Sequence, residues 1–270
     1  MKKITVIGGD NRSLILKENL SKKFTVDSLG LCENDSGDIA TSQFLVLPIP
    51  TTKDGINVYT PLSKKIIPLS YIYENTPQNT LILSCNYAFN SKNYIDYGSL
   101  DSFSLLNAVP TAEGAIKIAI ENTRFTLWRA KVLVIGYGRV GKILSERLKA
   151  LGARVTVSAR KSYDKAMIEA LGFSCINTGE LKLKRLSYDI VFNTVDVKVI
   201  EDECFKNADT SLLIDLSSKG GFNTEAAEAK CIKALKAPGL PNITAPETAA
   251  EILCKTVNDI INEGETDGKY

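Results

Sequence analysis

Three glycines carry the most readable chemistry in this chain. They stand in Lys131-Val-Leu-Val-Ile-Gly136-Tyr-Gly138-Arg-Val-Gly141, where a short apolar run enters Gly-x-Gly-x-x-Gly and a helical pattern continues through Leu151. In that strand–turn–helix setting the fingerprint binds the pyrophosphate of a dinucleotide. Gly136 permits the tight turn, Gly138 lets the pyrophosphate approach the backbone, and Gly141 lets helix and strand pack closely. Tyr137, Arg139 and Val140 complete the turn. The helix that follows offers N–H groups and a positive dipole end to an anion. A vestigial turn of the same shape is the competing reading, and the context favours a bound dinucleotide.

The end of the next strand bears on which dinucleotide. An NAD site usually places Asp or Glu there for the ribose 2′-hydroxyl. This chain has Ser158, Arg160 and Lys161, a hydroxyl and two cations suited to a 2′-phosphate, and its nearest acid, Asp164, already lies in the following helix. Arg160 and Lys161 could equally be solvated residues opening that helix. The missing acid favours NADP(H), with NAD(H) the alternative. Ligands of open α/β sheets bind beyond the carboxyl ends of strands. Asn193, Thr194 and Val195 occupy one such end and Asp215 and Ser217 another, as cofactor contacts or as helix caps.

In the first third the same rule selects Asp10 and Arg12, after Gly8-Gly9. A guanidinium at a strand-to-helix turn can grip a carboxylate with two parallel hydrogen bonds, although a surface Arg opening a helix would look the same. Asn107, Thr111 and Glu113 open a helix expected over residues 112–122, where they would face an interdomain cleft. Thr111 also reads as a plain N-cap. Glu113 is the best available general base if the cleft has a low dielectric.

These residues need a scaffold, and the alternation of apolar runs supplies one. Strand-like runs at 3–8, 24–29, 44–48 and 80–85, with a fifth at 103–106, alternate with helical ones such as 12–21. A long loop is expected at 50–61. A second set of strands is expected at 131–136, 154–158, 173–176, 188–193, 211–215 and 231–235, with a helix at 161–171. Alternating β and α runs predict parallel sheets with helices on both faces. The fold class is α/β: two Rossmann-like parallel-sheet domains with an interdomain cleft. Residues 1–110 would form an N-terminal substrate and dimerisation domain, completed by an amphipathic C-terminal helix within 246–264. Residues 111–245 would form the dinucleotide-binding domain, leaving 265–270 as a disordered tail.

Composition removes several classes of function. With no histidine among 270 residues there is no Ser-His triad, no His-ligated zinc and no imidazole acid–base chemistry. The six cysteines form no C-x-x-C pair, which predicts buried free thiols rather than a metal site. A net charge of +2 with dispersed lysines predicts neither a nucleic-acid groove nor a membrane-binding face. No signal peptide or transmembrane run is visible, which predicts a cytoplasmic protein.

Taken together, the sequence resembles the A-subunit family of dipicolinate synthase from spore-forming bacteria. The resemblance runs through most of the chain. It includes Val6-Ile-Gly-Gly-Asp10-x-Arg12, Leu47-Pro48, Asn107-x-x-Pro110-Thr111-x-Glu113-Gly114 and Gly136-x-Gly138-Arg139-x-Gly141. It continues through Leu151-Gly-Ala153, Ser158-Ala-Arg160, Asn193-Thr194, Asp215-Leu216-x-Ser218, Ala237-Pro-Gly-Leu-Pro241 and Ala245-Pro246-x-Thr248-Ala249. The glycine turn is generic; the Gly-Gly-Asp-x-Arg, Pro-Thr-x-Glu-Gly and Ala-Pro-Gly-Leu-Pro segments are specific. Lys219 departs from the pattern, since a proline is expected before Gly220-Gly221.

The resemblance implies NADP-dependent aromatisation of dihydrodipicolinate, or its hydrated precursor, to dipicolinate. Arg12, with Lys219, would hold the substrate carboxylates. Also implied are a homo-oligomer, the mother-cell cytoplasm of a sporulating bacterium, and a flavoprotein-like B subunit. Two other readings stay open. One is a different two-domain NAD(P)-dependent dehydrogenase of an amino or keto acid. The other is a non-catalytic nucleotide-binding subunit whose flavoprotein partner performs the oxidation.

Overall fold

The computed structural model describes residues 1–89, 93–183 and 185–266. Two compact units emerge: one comprises residues up to Asn107 together with the segment from Ala245 onward, the other Ala108–Thr244.

The first unit holds β1 (Lys3–Ile7), β2 (Thr25–Leu29), β3 (Phe44–Val46), β4 (Leu81–Ser84) and β5 (Tyr94–Asp96). They form one sheet in the order β2-β1-β3-β4-β5, with every pair parallel. Strands such as Leu81–Ser84 are buried along their whole length, as strands covered on both faces must be. One face packs on α1 (Asn11–Ser21) and the C-terminal α8 (Pro246–Thr266), through Leu16, Leu20, Leu253 and Val257. The other face is covered by Ile39, Val58, Ile67 and Ile72, the last from α2 (Leu69–Asn75). The sheet order reverses direction at β1 and β3, so Gly8–Arg12 and Leu47–Pro50 share the switch point where ligands of such sheets bind.

The second unit holds β6 (Lys131–Ile135), β7 (Arg154–Ala159), β8 (Ser174–Asn177), β9 (Ile190–Asn193), β10 (Leu212–Asp215) and β11 (Lys233–Lys236). Their order, β11-β10-β9-β6-β7-β8, is the Rossmann order, and every pair is parallel. One face meets α4 (Arg139–Ala150) and α5 (Ser162–Ala170) through Leu144, Leu148 and Ile168. The other is covered by Leu181, Ile200, Phe205 and Ala227, the last from α6 (Thr224–Glu228).

The structure corrects the reading between 101 and 122. Residues 103–106, expected as a strand, lie in α3 (Asp101–Glu121), which runs without interruption past Pro110. Thr111 is therefore interior to the helix and not its N-cap. The buried positions Ala108, Ala112, Ala115 and Ala119 recur at helical spacing through the expected boundary. Proline has no N–H to give the carbonyl of Leu106, and the helix continues past it all the same. Gly114 has a packing reason: a Cβ there would stand 2.7 Å from Thr244 Oγ1 and 3.1 Å from Leu240 Cβ. The Pro-Thr-x-Glu-Gly helix thus fits against α7 (Leu240–Thr244), which grows out of Ala-Pro-Gly-Leu-Pro. At the C-terminus α8 continues to Thr266, so residues 265–266 are helical rather than part of a tail. The rest of the expected tail, 267–270, lies outside the described residues.

Candidate functional site

The turn after β6 has the geometry that its glycines require. Gly136 has φ +100°, and a Cβ on it would meet Thr194 Oγ1 at 2.6 Å and Val195 Cγ1 at 2.7 Å. A Cβ on Gly141 would lie 2.2 Å from the carbonyl oxygen of Gly136, so α4 can approach β6 this closely only with glycine there. Gly138 differs from both: nothing stands within 4 Å of its missing Cβ. It occupies the N-cap of α4, and no side chain caps that helix. An anion approaching Gly138 meets open backbone N–H groups at a positive helix end. Lys142 follows on α4, its ammonium 5.1 Å from the centre of the Tyr137 ring. Burial, followed by the charges of Glu146 and Asp164, raises the Tyr137 hydroxyl above its ordinary pKa, so the side chain stays neutral.

A cavity of about 640 Å³ opens at this turn, within the roughly 300–1,000 Å³ of small-molecule sites. Gly136, Tyr137 and Gly138 are among its lining residues. Lys142, Arg160, Lys161, Lys182 and Lys198 line it, against one carboxylate, Asp164. Val195, Val197 and Val199 supply an apolar wall. This donor set fits a dinucleotide phosphate: open backbone N–H groups, excess positive charge and an apolar surface for a base. Arg160 and Lys161 are exposed where β7 ends, with Arg139 exposed and Val140 half-buried at the start of α4.

Other expected contacts are turned inward. Ser158 is fully buried, and its hydroxyl accepts a hydrogen bond from Thr178 Oγ1 at 3.0 Å. Thr178, not Ser158, reaches the cavity. Asn193 and Asp215 are likewise buried and bind each other, Nδ2 to Oδ1 at 2.8 Å. Asp215 also accepts from Ser217 N–H at 3.0 Å, Ser217 Oγ at 2.6 Å and Gly221 N–H at 2.7 Å. A Cβ on Gly221 would stand 2.1 Å from Asn193 Nδ2, so the paired glycine is part of the same arrangement. These side chains lock the ends of β9 and β10 together. Thr194 serves the turn directly, donating its hydroxyl to Ile135 C=O at 2.8 Å.

Lys219 is exposed beside Asp196. Partial burial acts to raise the Asp196 carboxyl. Donation from Ser218 N–H and Oγ and from Lys219 N–H, together with the Lys219 charge, holds it below its ordinary pKa. A proline at 219 would have no N–H to offer Asp196.

The substrate residues proposed from sequence fare differently. Arg12 is buried, and one edge of its guanidinium is engaged: Nε donates to Asp10 Oδ1 at 3.0 Å and Nη2 to Asp10 Oδ2 at 2.7 Å. Nη2 also donates to Ile49 C=O at 2.8 Å. Asp10 caps α1 through Arg12 N–H, so the pair fixes the β1–α1 turn. Nearby, Tyr97 is fully buried and donates to Leu47 C=O at 2.8 Å. Burial, then the charge of Asp96, pushes the Cys85 thiol up to about 12. Glu113 is not in a low-dielectric pocket: its side chain is 60% exposed and pairs with Arg147 Nη2 at 3.1 Å. Asn107 and Thr111 are half-buried on α3 and already engaged.

Sequence reasoning missed Lys142, Thr178, Lys182 and Lys198. Lys142 adjoins the fingerprint, and Thr178 directly follows β8, so the strand-end rule could have found them. Lys182 and Lys198 lie five residues beyond the ends of β8 and β9, at Asn177 and Asn193, and no local pattern marks them.

The fold defines a protein of two parallel-sheet α/β units, the second with the Rossmann strand order and a Gly-x-Gly-x-x-Gly turn. D-lactate dehydrogenase from Escherichia coli has the same fold, with a TM-score of 0.60 over 99% of this chain and 98% of that one at 14% identity. Residues 3–106 match the family model for the N-terminal domain of the dipicolinate synthase A subunit. The chain is 32% identical to the dipicolinate synthase A subunit of Bacillus subtilis (strain 168), over 97% of this chain and 96% of that protein. The crystal structure of the dipicolinate synthase A subunit from Bacillus halodurans superposes with a TM-score of 0.85 at 31% identity, covering 96% of this chain and 97% of that one. This chain belongs to the A-subunit family of dipicolinate synthase. No helix among the described residues is long and apolar enough to cross a membrane.

Proposed function

We propose that this chain is an NADP-dependent oxidoreductase that forms dipicolinate from dihydrodipicolinate or its hydrated precursor. The observation that carries the reading is the cavity at the glycine turn, where five cations and one carboxylate surround an uncapped helix start. Membership of the A-subunit family of dipicolinate synthase supports the substrate. Bound NADP⁺ would supply a hydride acceptor; dihydrodipicolinate would lose one hydride and one proton as its ring becomes aromatic, and the hydrated precursor would lose one water in addition.

The chain's own residues bind and orient. Gly138 and the start of α4 receive the pyrophosphate. Arg160 and Lys161 receive the 2′-phosphate, with NAD the weaker alternative cofactor. Asn193, Asp215 and Ser217 act as positioning residues that hold the loops beyond β9 and β10. Of the cations first assigned to the substrate, the exposed Lys219 is the one open to a carboxylate, while Arg12 shapes the turn after β1. Aromatisation favours proton loss, so an exposed Glu113 is not required as the base. The reading includes a homo-oligomer, the cytoplasm of a sporulating mother cell, and partnership with a flavoprotein-like B subunit.

One observation favours a second reading. Arg12 and Glu113, the two groups first assigned to chemistry, both have partners within this chain. That pattern suits a nucleotide-binding subunit whose partner performs the oxidation. The test is the purified chain alone with dihydrodipicolinate generated in situ and NADP⁺. Growth of dipicolinate near-ultraviolet absorbance supports the enzyme reading. Absence of that signal without the partner, and its appearance with it, supports the second. Absence in both cases, with either nicotinamide, overturns the proposed activity.

A further inference from the structure

Four cations in the cavity have no ion-pair partner among the described residues: Arg160 and Lys161 after β7, Lys182, and Lys142. Lys198 differs, since its ammonium lies 3.1 Å from Glu201 and 3.2 Å from Asp202. Lys142 sits over the Tyr137 ring. Four such cations share the cavity with one carboxylate, Asp164, so they repel one another, and an incoming dianion relieves that repulsion.

Lys182 comes from an unexpected quarter, the 3₁₀ segment Thr178–Leu183 that follows β8. That segment is fastened at several points. Thr178 Oγ1 donates to Ser158 Oγ at 3.0 Å, tying it to the end of β7. Gly179 N–H donates to Asn177 Oδ1 at 2.9 Å. Leu181 is buried in the core, and the Cys204 thiol donates to Leu181 C=O at 3.2 Å and Lys182 C=O at 3.4 Å. Burial raises the Cys204 thiol above its ordinary pKa, so the donor keeps its proton at neutral pH. The backbone beneath Lys182 is thus held while its ammonium stays exposed at the cavity. Such an arrangement presets a cation without neutralising it.

We propose that Lys182 is a third phosphate-binding cation, joining Arg160 and Lys161 to set preference for the 2′-phosphorylated dinucleotide. Ser158, through Thr178, positions the segment that delivers it. Specificity in this chain then rests on the ends of two strands, β7 and β8, and not on the fingerprint strand pair alone. The inference rests on the proposed dinucleotide site.

The test is equilibrium titration of the full chain with NADPH and with NADH, followed by nucleotide fluorescence. A charge-assisted contact to phosphate predicts that Lys182→Gln weakens NADPH binding by about tenfold and leaves NADH binding unchanged. Lys182→Arg should recover most of the loss. Lys182 is exposed, and a melting curve for each variant separates loss of contact from loss of fold. Equal weakening of both dinucleotides by Lys182→Gln, or unaltered NADPH binding, overturns the role of Lys182 and leaves the proposed cofactor site standing. A wild-type chain that binds neither dinucleotide overturns both.

Discussion

Replacing Gly141 by Ala tests the turn at its tightest point. The new Cβ would stand 2.2 Å from Gly136 O and 3.0 Å from Gly136 C, both backbone atoms that no rotamer change can move aside. Ordinary contact begins at 3.4 Å, so α4 and the turn must separate by about 1.2 Å, the difference between 3.4 and 2.2 Å. Overpacking of this kind costs ~1–3 kcal/mol. For a chain of this size, 2 kcal/mol lowers the melting temperature by about 4–8 °C. The displaced helix start also moves the N–H groups offered to the pyrophosphate, and errors of about 1 Å in positioning cost on the order of 100-fold in activity. Gly138→Ala is the matched control. Its Cβ meets nothing within 4 Å, and φ is −81°, so the fold should tolerate it. The methyl group would nevertheless occupy the space proposed for the pyrophosphate. Circular dichroism melts and NADPH titrations of both variants provide the assay. Gly141→Ala should lose stability and binding together, and Gly138→Ala should lose binding alone. A Gly141→Ala protein that melts like wild type, or a Gly138→Ala protein with full NADPH affinity, would refute the reasoning.

Three further outcomes follow from the side-chain geometry. Arg12→Ala leaves Asp10 buried without its partner and should destabilise the chain by ~3–5 kcal/mol, read from the urea midpoint; Asp10→Ala in the same chain should restore part of that loss, whereas a changed KM at unchanged stability would return Arg12 to substrate binding. Glu113→Gln should leave turnover and its pH profile intact, because it removes one exposed ion pair worth ~0–1 kcal/mol; a displaced acid limb in the profile would reinstate it as a base. Cys85, whose thiol burial pushes from 9.0 to about 12, holds its proton more tightly folded than unfolded. Its contribution to stability is therefore present below about 9 and is lost as pH rises toward 12. Native alkylation at pH 8 should modify the exposed Cys32 and Cys231 and spare Cys85, as mass spectrometry of digests would reveal.

What could be read from the sequence follows from which forces are local. Gly136, Gly138 and Gly141 are legible because strand, turn and helix contacts all fall within a few residues of each other. Buried parallel strands are legible because both faces are apolar, as in Val132–Ile135. The start of α3 was not, since Phe103-Ser-Leu-Leu106 fits either period and Pro110 resembles a helix boundary. Side-chain pairing was the least legible. Glu113 meets Arg147 across 34 residues, Thr178 meets Ser158 across 20, and Asn193 meets Asp215 across 22. Only the folded sheet brings those partners together. Residue type made each a plausible ligand contact; the burial and the hydrogen bonds of Ser158, Asn193 and Asp215 are set by the fold.

The central claim is that this chain oxidises a dihydropyridine dicarboxylate with NADP⁺. Its most direct test follows two signals in one reaction of the purified chain: dipicolinate absorbance in the near ultraviolet and NADPH fluorescence. Both should rise together in equal molar amounts, with NADP⁺ outperforming NAD⁺. Dipicolinate that accumulates with no reduced nicotinamide, or only when a flavoprotein partner is added, would contradict it.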